Sequence, residues 1–144
     1  MIQNIAHLSD LHIHRSQLRH DEYRKIFNDL YKVLSSKKPD RIVIVGDLYH
    51  DFVDLSNEAQ LLMASFLNNL ARISQVVITR GNHDLMKKNL SRIDTVETIT
   101  KMINNPNITY YNQTGFYEDD NVVWAVWNHR DMKYKNPWVE VPHT

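Results

Sequence analysis

Short apolar runs alternate with longer stretches whose apolar residues recur at helical spacing, a pattern that predicts an α/β fold with parallel strands. Ile2 to Ser9 reads as a first strand and His12 to His20 as a polar loop. Asp21 to Ser36 reads as a helix, with Tyr23, Ile26, Phe27, Leu30, Val33 and Leu34 on one stripe. Acidic residues stand at its start, Lys37-Lys38 just past its end, and Pro39 stops it. Arg41 to Val45 is a continuous β-branched run of the kind buried in a parallel sheet. A second helix follows over Ser56 to Ile73, with Leu61, Leu62, Met63, Phe66, Leu67, Leu70 and Ile73 covering much of its surface. Gln75 to Thr79 is a third strand, and Ser91 to Asn104 a third helix with Ile93, Val96, Ile99 and Ile103 inward. Asn104 to Asn107 is a turn cluster. Ile108 to Tyr111, Gly115 to Tyr117 and Asn121 to Trp127 read as further strands, with a hairpin turn at Asp119-Asp120-Asn121. No linker divides the chain, so residues 1–144 are expected to form one domain with a polar tail from about residue 128.

Composition narrows the class. The 144 residues are 42% hydrophobic and 24% charged, an ordinary globular balance. Seventeen basic residues offset seventeen acidic ones, so any anion recognition must come from local groups rather than net charge. The absence of cysteine excludes a disulfide framework, a thiolate zinc site and a thiol nucleophile, and suits a reducing compartment. No apolar run approaches the roughly 18 residues of a membrane span. Met1 to Asn4 leads into a strand without a basic n-region. A cytoplasmic protein with no membrane association is the expectation.

Three polar clusters each follow a predicted strand: Asp10-Leu11-His12, Gly46-Asp47 and Gly81-Asn82-His83-Asp84. The carboxyl ends of parallel strands share one edge of the sheet, so these clusters are expected to converge. Asp10 and Asp47 offer carboxylate oxygens, His12 an imidazole nitrogen and Asn82 a carbonyl oxygen, a mixed set that suits manganese, iron or zinc. On an extended segment Asp10 and His12 project to the same side, so both heads reach one ion. A central carboxylate such as Asp47 can bridge two. Two ions about 3.5–4 Å apart clamp a phosphate, generate hydroxide at neutral pH and stabilise in-line displacement. His83 is placed to act on the same phosphate, with Asp84 orienting its imidazole. Gly46 and Gly81 permit close backbone approach beside the site. Asp10 and Asp47 taken singly also suit cap or turn positions; their register with Gly81 to Asp84 favours the metal reading.

In this order and spacing the three clusters resemble the calcineurin-like metallophosphoesterases over roughly residues 4 to 131. His7-Leu8-Ser9-Asp10-Leu11-His12 and Gly46-Asp47-Leu48-Tyr49-His50 look most like the DNA-repair nucleases of that superfamily, the SbcD-type and phage recombination endonuclease subunits. The resemblance implies a sheet sandwich flanked by helices. It implies that Asp10 and His12 bind a first metal, that Asp47 bridges, that Asn82 binds a second, and that His83 and Asp84 are catalytic. It further implies a phosphate contact by His50, two divalent ions with manganese foremost, cleavage of DNA as an exonuclease or endonuclease, and an SMC-like ATPase partner of the SbcC kind. Three more histidines complete the family's site in later motifs, whereas only His129 and His143 follow Asp84 here. The resemblance is therefore to the N-terminal part, apparently truncated after that half. A half-sandwich exposes an apolar face, so self-association is expected. A small-substrate phosphoesterase and a non-catalytic half-site subunit are the competing readings. A protein phosphatase is disfavoured because Leu48-Tyr49-His50 follows Asp47 in place of that group's Asp-Arg-Gly pattern.

Among the remaining candidates, His7 is expected in the core or behind the site. His14, Arg15, Arg19 and His20 form a basic loop suited to solvent or to nucleic acid, and Lys87, Lys88 and Arg92 read the same way. Trp124 is expected to pack and Trp127 to face the opposite side of its strand.

Overall fold

A computed structural model describes residues 1–50, 55–84 and 93–131. Four strands, β1 (Ile5–Ser9), β2 (Arg41–Val45), β3 (Gln75–Thr79) and β4 (Ile108–Tyr111), form a parallel sheet in chain order. The helices α1 (His20–Lys37), α2 (Asn57–Ile73) and α3 (Thr95–Ile103) make the successive crossovers. β5 (Gly115–Asp119) and β6 (Val122–Val126) form an antiparallel hairpin. The α/β class with a parallel sheet and helices is as the sequence pattern predicts.

Strand alternation divides the sheet into two faces. Ala6, Leu8, Ile42, Ile44, Val76, Ile78, Ile108 and Tyr110 join the core beneath the helices, where Phe27, Leu34, Phe66, Leu67, Leu70, Val96 and Ile99 meet them. On the other face Ile5, His7, Val43, Val45, Val77 and Thr79 line a cleft of about 380 Å³, roofed by Trp124 to Trp127. The two tryptophans thus line the same cleft. β6 ends at Val126, so Trp127 no longer follows the strand's alternation.

Local chemistry sets the element ends. β1 begins at Ile5, because the residues before it are bonded elsewhere: the Gln3 and Asn4 amides donate to Asp40 Oδ2 and the Ile2 amide to Asn121 Oδ1. Lys38 closes α1 in a left-handed conformation at φ 50°, its amide donating to the Leu34 carbonyl. Ser56 and Asp94 cap α2 and α3 through their side-chain oxygens, accepting from the Ala59 and Glu97 amides. The part of the third helix expected over residues 91 and 92 lies outside the described residues. Asp120 turns the hairpin at φ 54°.

Several expected core positions face outward instead. Ile26 is 62% and Val33 55% exposed. They lie on the flank of the α1 stripe away from α2, while Tyr31, on the other flank, reaches Phe66. Leu61 and Ile93 are exposed as well. Ile93 precedes the Asp94 cap and so is not on the inward face of α3.

Candidate metal centre

The register brings the three clusters together. Ser9 pairs with Val45 and Val45 with Thr79, so β1, β2 and β3 end level and their following residues share one edge. The ladder runs one step further, with the Gly46 amide donating to the Thr79 carbonyl at 3.0 Å. Two glycines make this approach possible. A β-carbon on Gly46 would stand 2.5 Å from Gly81 Cα, and one on Gly81 would collide with the Asp47 carboxylate and amide. Gly46 also holds φ 72°.

Asp10, His12 and Asp47 hold left-handed backbones at φ 54°, 45° and 51°. Such conformations cost a β-carbon-bearing residue about 1–2 kcal/mol each and cluster at functional sites. Here the sequence expectation needs correction. β1 ends at Ser9, so Asp10 and His12 converge through their left-handed backbones and not through the pleat of a strand. Their heads do meet. His12 Nε2 stands 3.7 Å from Asp10 Oδ1 and 3.6 Å from Asp47 Oδ2. Ligand atoms of His12, Asp47 and His83 all lie within 4.8 Å of one another. These spacings are too long for hydrogen bonds and suit donors gathered about a shared cation. Asp47 is buried, with Oδ1 accepting from the His83 amide at 3.0 Å and Oδ2 turned to His12. Asn82 sits on the bend immediately before His83, partly buried.

His83 Nδ1 lies 2.8 Å from the His50 carbonyl. A carbonyl only accepts, so Nδ1 carries the proton and Nε2 is the reactive nitrogen. This differs from the expectation that Asp84 orients the ring. Asp84 is fully buried, and its carboxylate accepts instead from the amides of Leu48 at 3.0 Å, Tyr49 at 3.4 Å and Gly81 at 2.9 Å. It laces the loop after β2 to the loop after β3 and has no direct part in holding the imidazole. Burial raises its carboxyl to about 6, against the pull of the Gly81 and Tyr49 amides.

His50 lies at the rim, its ring stacked on His14 with centroids 4.1 Å apart and 5.9 Å from His83. With His12, whose ring is 4.9 Å from that of His83, four imidazoles gather at this edge. His20 left the expected basic loop: it is buried at the start of α1 and donates to the His14 carbonyl. His7 is exposed in the cleft on the far face of the sheet, in neither the core nor the site. Lys87, Lys88, Arg92 and His143 lie outside the described residues.

Sequence reasoning passed over Arg80. Its buried guanidinium donates to Asp94 Oδ2 at 2.7 Å and Asn128 Oδ1 at 2.8 Å, and the Tyr110 hydroxyl donates to the same Asp94 oxygen. This ties the root of the Gly81 to Asp84 loop to α3, β4 and the end of the hairpin. The available signal was a lone arginine ending an apolar strand, which must be paired if buried.

The comparisons with known proteins agree with this geometry. The model of the calcineurin-like phosphoesterase family matches residues 3–141. An uncharacterized protein of Acanthamoeba polyphaga mimivirus is 34% identical over 129 residues, 87% of this chain and 10% of that protein. The SbcD component of the nuclease SbcCD of Rhodobacter capsulatus is 34% identical over 86 residues, 56% of this chain and 21% of that protein. The chain thus spans a tenth to a fifth of the length of these relatives. With the match covering nearly all of its residues and the three motif loops converging on one edge, the chain belongs to the calcineurin-like phosphoesterase family.

Proposed function

We propose that this chain carries the N-terminal part of a two-metal phosphodiesterase site that cleaves DNA, as part of a nuclease of recombination or repair. The observation that carries the reading is the convergence of the His12 and Asp47 ligand atoms beside Asp10, with an imidazole nitrogen of His83 within 4.8 Å of both. The likeness to a component of the nuclease SbcCD supports nuclease activity; DNA as the substrate and an SMC-like ATPase of the SbcC kind as the partner are part of the proposal. The partly open sheet face supports a homodimer as a further mode of assembly.

Asp10, His12, Asp47 and Asn82 are the residues that would hold two divalent ions. The mixed oxygen and nitrogen set favours manganese, with iron or zinc next. When bound, such ions supply Lewis-acid polarisation of a phosphoryl oxygen and a nucleophile at neutral pH. Beside these ions, the groups of this chain have the following parts. His83, its Nδ1 proton held by the His50 carbonyl, presents Nε2 to the phosphate, where it stabilises developing charge or protonates the leaving oxygen. Asp84 keeps the two loops in register for this. His50, its ring stacked on His14, is the residue that would contact the substrate phosphate.

Incubation with manganese and three substrates (linear duplex DNA, circular single-stranded DNA and a bis-nitrophenyl phosphodiester) tests the reading. Manganese-dependent DNA cleavage is expected, abolished by chelator and lowered about 10²–10⁴-fold in kcat by His83→Ala. Cleavage of the model diester alone would instead support a small-substrate phosphoesterase. Inertness toward all three would support a non-catalytic half-site subunit that lacks the later histidine ligands.

A further inference from the structure

We infer that the first turn of α1 is the clamp that holds His12 in its metal-facing backbone conformation, with Tyr23 as a positioning residue for that ligand. This rests on the reading of His12 as a ligand, and concerns what keeps a β-carbon-bearing residue at φ 45°.

The loop from His12 to His14 is bonded from two sides. On the inner side the His12 amide donates to the Asp47 carbonyl at 2.9 Å and the Ile13 amide to the Leu48 carbonyl at 3.0 Å. On the outer side the Tyr23 hydroxyl donates to the His12 carbonyl at 2.8 Å. His20 Nε2 donates to the His14 carbonyl, also at 2.8 Å. Residues 20 and 23 lie three apart, so both side chains leave the helix on one face. His12 is therefore anchored at its amide and at its carbonyl, and the carbonyl anchor comes from a helix that contributes no ligand.

Two features argue that this bracket is more than packing. His20 is 1% exposed and its Nδ1 has no partner among the described residues. Burying an unpaired acceptor costs free energy that an apolar residue would not incur. The Tyr23 hydroxyl is also held in place: its ring contacts Phe27, with centroids 5.9 Å apart, and Phe27 contacts Phe66 at 4.1 Å. The core between α1 and α2 thereby fixes where His12 turns, and His12 Nε2 faces Asp10 and Asp47 as a result.

Tyr23→Phe removes one oxygen and keeps the ring. Manganese alone, titrated calorimetrically into the full chain, is expected to bind about tenfold more weakly to the variant. In the metal-free, isotope-labelled chain the His12 α- and β-carbon shifts are expected to move away from left-handed values while those of Asp47 stay. Unchanged His12 shifts overturn the inference whatever happens to Tm, since Tyr23 is then a structural residue only. A manganese affinity within twofold of wild type overturns it as well. If the wild-type chain binds no manganese, the metal reading fails by itself, and the His12 shifts still decide the role of Tyr23.

Discussion

Asp10, His12 and Asp47 each hold a left-handed backbone, and glycines 46 and 81 stand back to back beside them. Gly81→Ala places a methyl group against the Asp47 carboxylate and amide, which are themselves fixed by the Gly46 turn. The expected cost is about 1–3 kcal/mol, a fall in Tm of roughly 4–12 °C, with weakened manganese binding in the same protein. Thermal denaturation and calorimetry at wild-type values would show that the loop can yield. At this scale the sequence was informative about residue types and their order. It was misleading about Asp84, whose place next to His83 suggested a paired carboxylate. The three backbone amides that claim its oxygens come from residues 48, 49 and 81, and only the fold assembles them.

Between elements, the hairpin is fastened to the sheet by charge. Arg41, at the start of β2, donates from Nε and Nη2 to the two oxygens of Asp119 at 2.8 and 2.7 Å, and the Trp124 indole donates to the same carboxylate. Both partners of the ion pair are largely buried. The Arg41 guanidinium holds the Asp119 carboxyl below its ordinary range. A carboxyl lowered on folding stabilises the protein above the ordinary carboxylate pKa, and that stabilisation disappears as pH falls through the lowered value. Asp119→Asn is therefore expected to lose about 1–3 kcal/mol at pH 7. The gap to wild type should narrow steadily below about pH 4. Urea denaturation of both proteins across this range checks it; a gap independent of pH would place the effect in packing. The elements themselves were legible from periodicity, caps and turn residues. The facing of Ile26, Val33 and Leu61 was not, because a broad apolar stripe leaves open which flank the neighbouring helix covers. The Arg41–Asp119 pair, 78 residues apart in sequence, had no local signal.

Among the described residues, the parallel sheet packs its helical face into the core and is partly open on the other. Ile5 and Val45 are about half exposed there, and Trp127 stands over the cleft. The candidate metal residues lie along the carboxyl edge of this sheet on three loops, which are bonded to α1, α3 and the hairpin. Convergence at that edge was foreseeable from strand order alone, since parallel strands joined by helical crossovers end on one side. The bracing was not, because Tyr23, Arg80, Asp94 and Asn128 act through contacts that depend on tertiary packing. Everything proposed for catalysis rests on Asp47, which touches both the His12 side and the His83 side of the site. The most direct test is manganese binding by calorimetry, wild type against Asp47→Ala. Saturable binding by the wild type, weakened about a hundredfold or more in the variant, is expected. Equal binding by the two proteins, or none by the wild type, would contradict a metal centre at this edge.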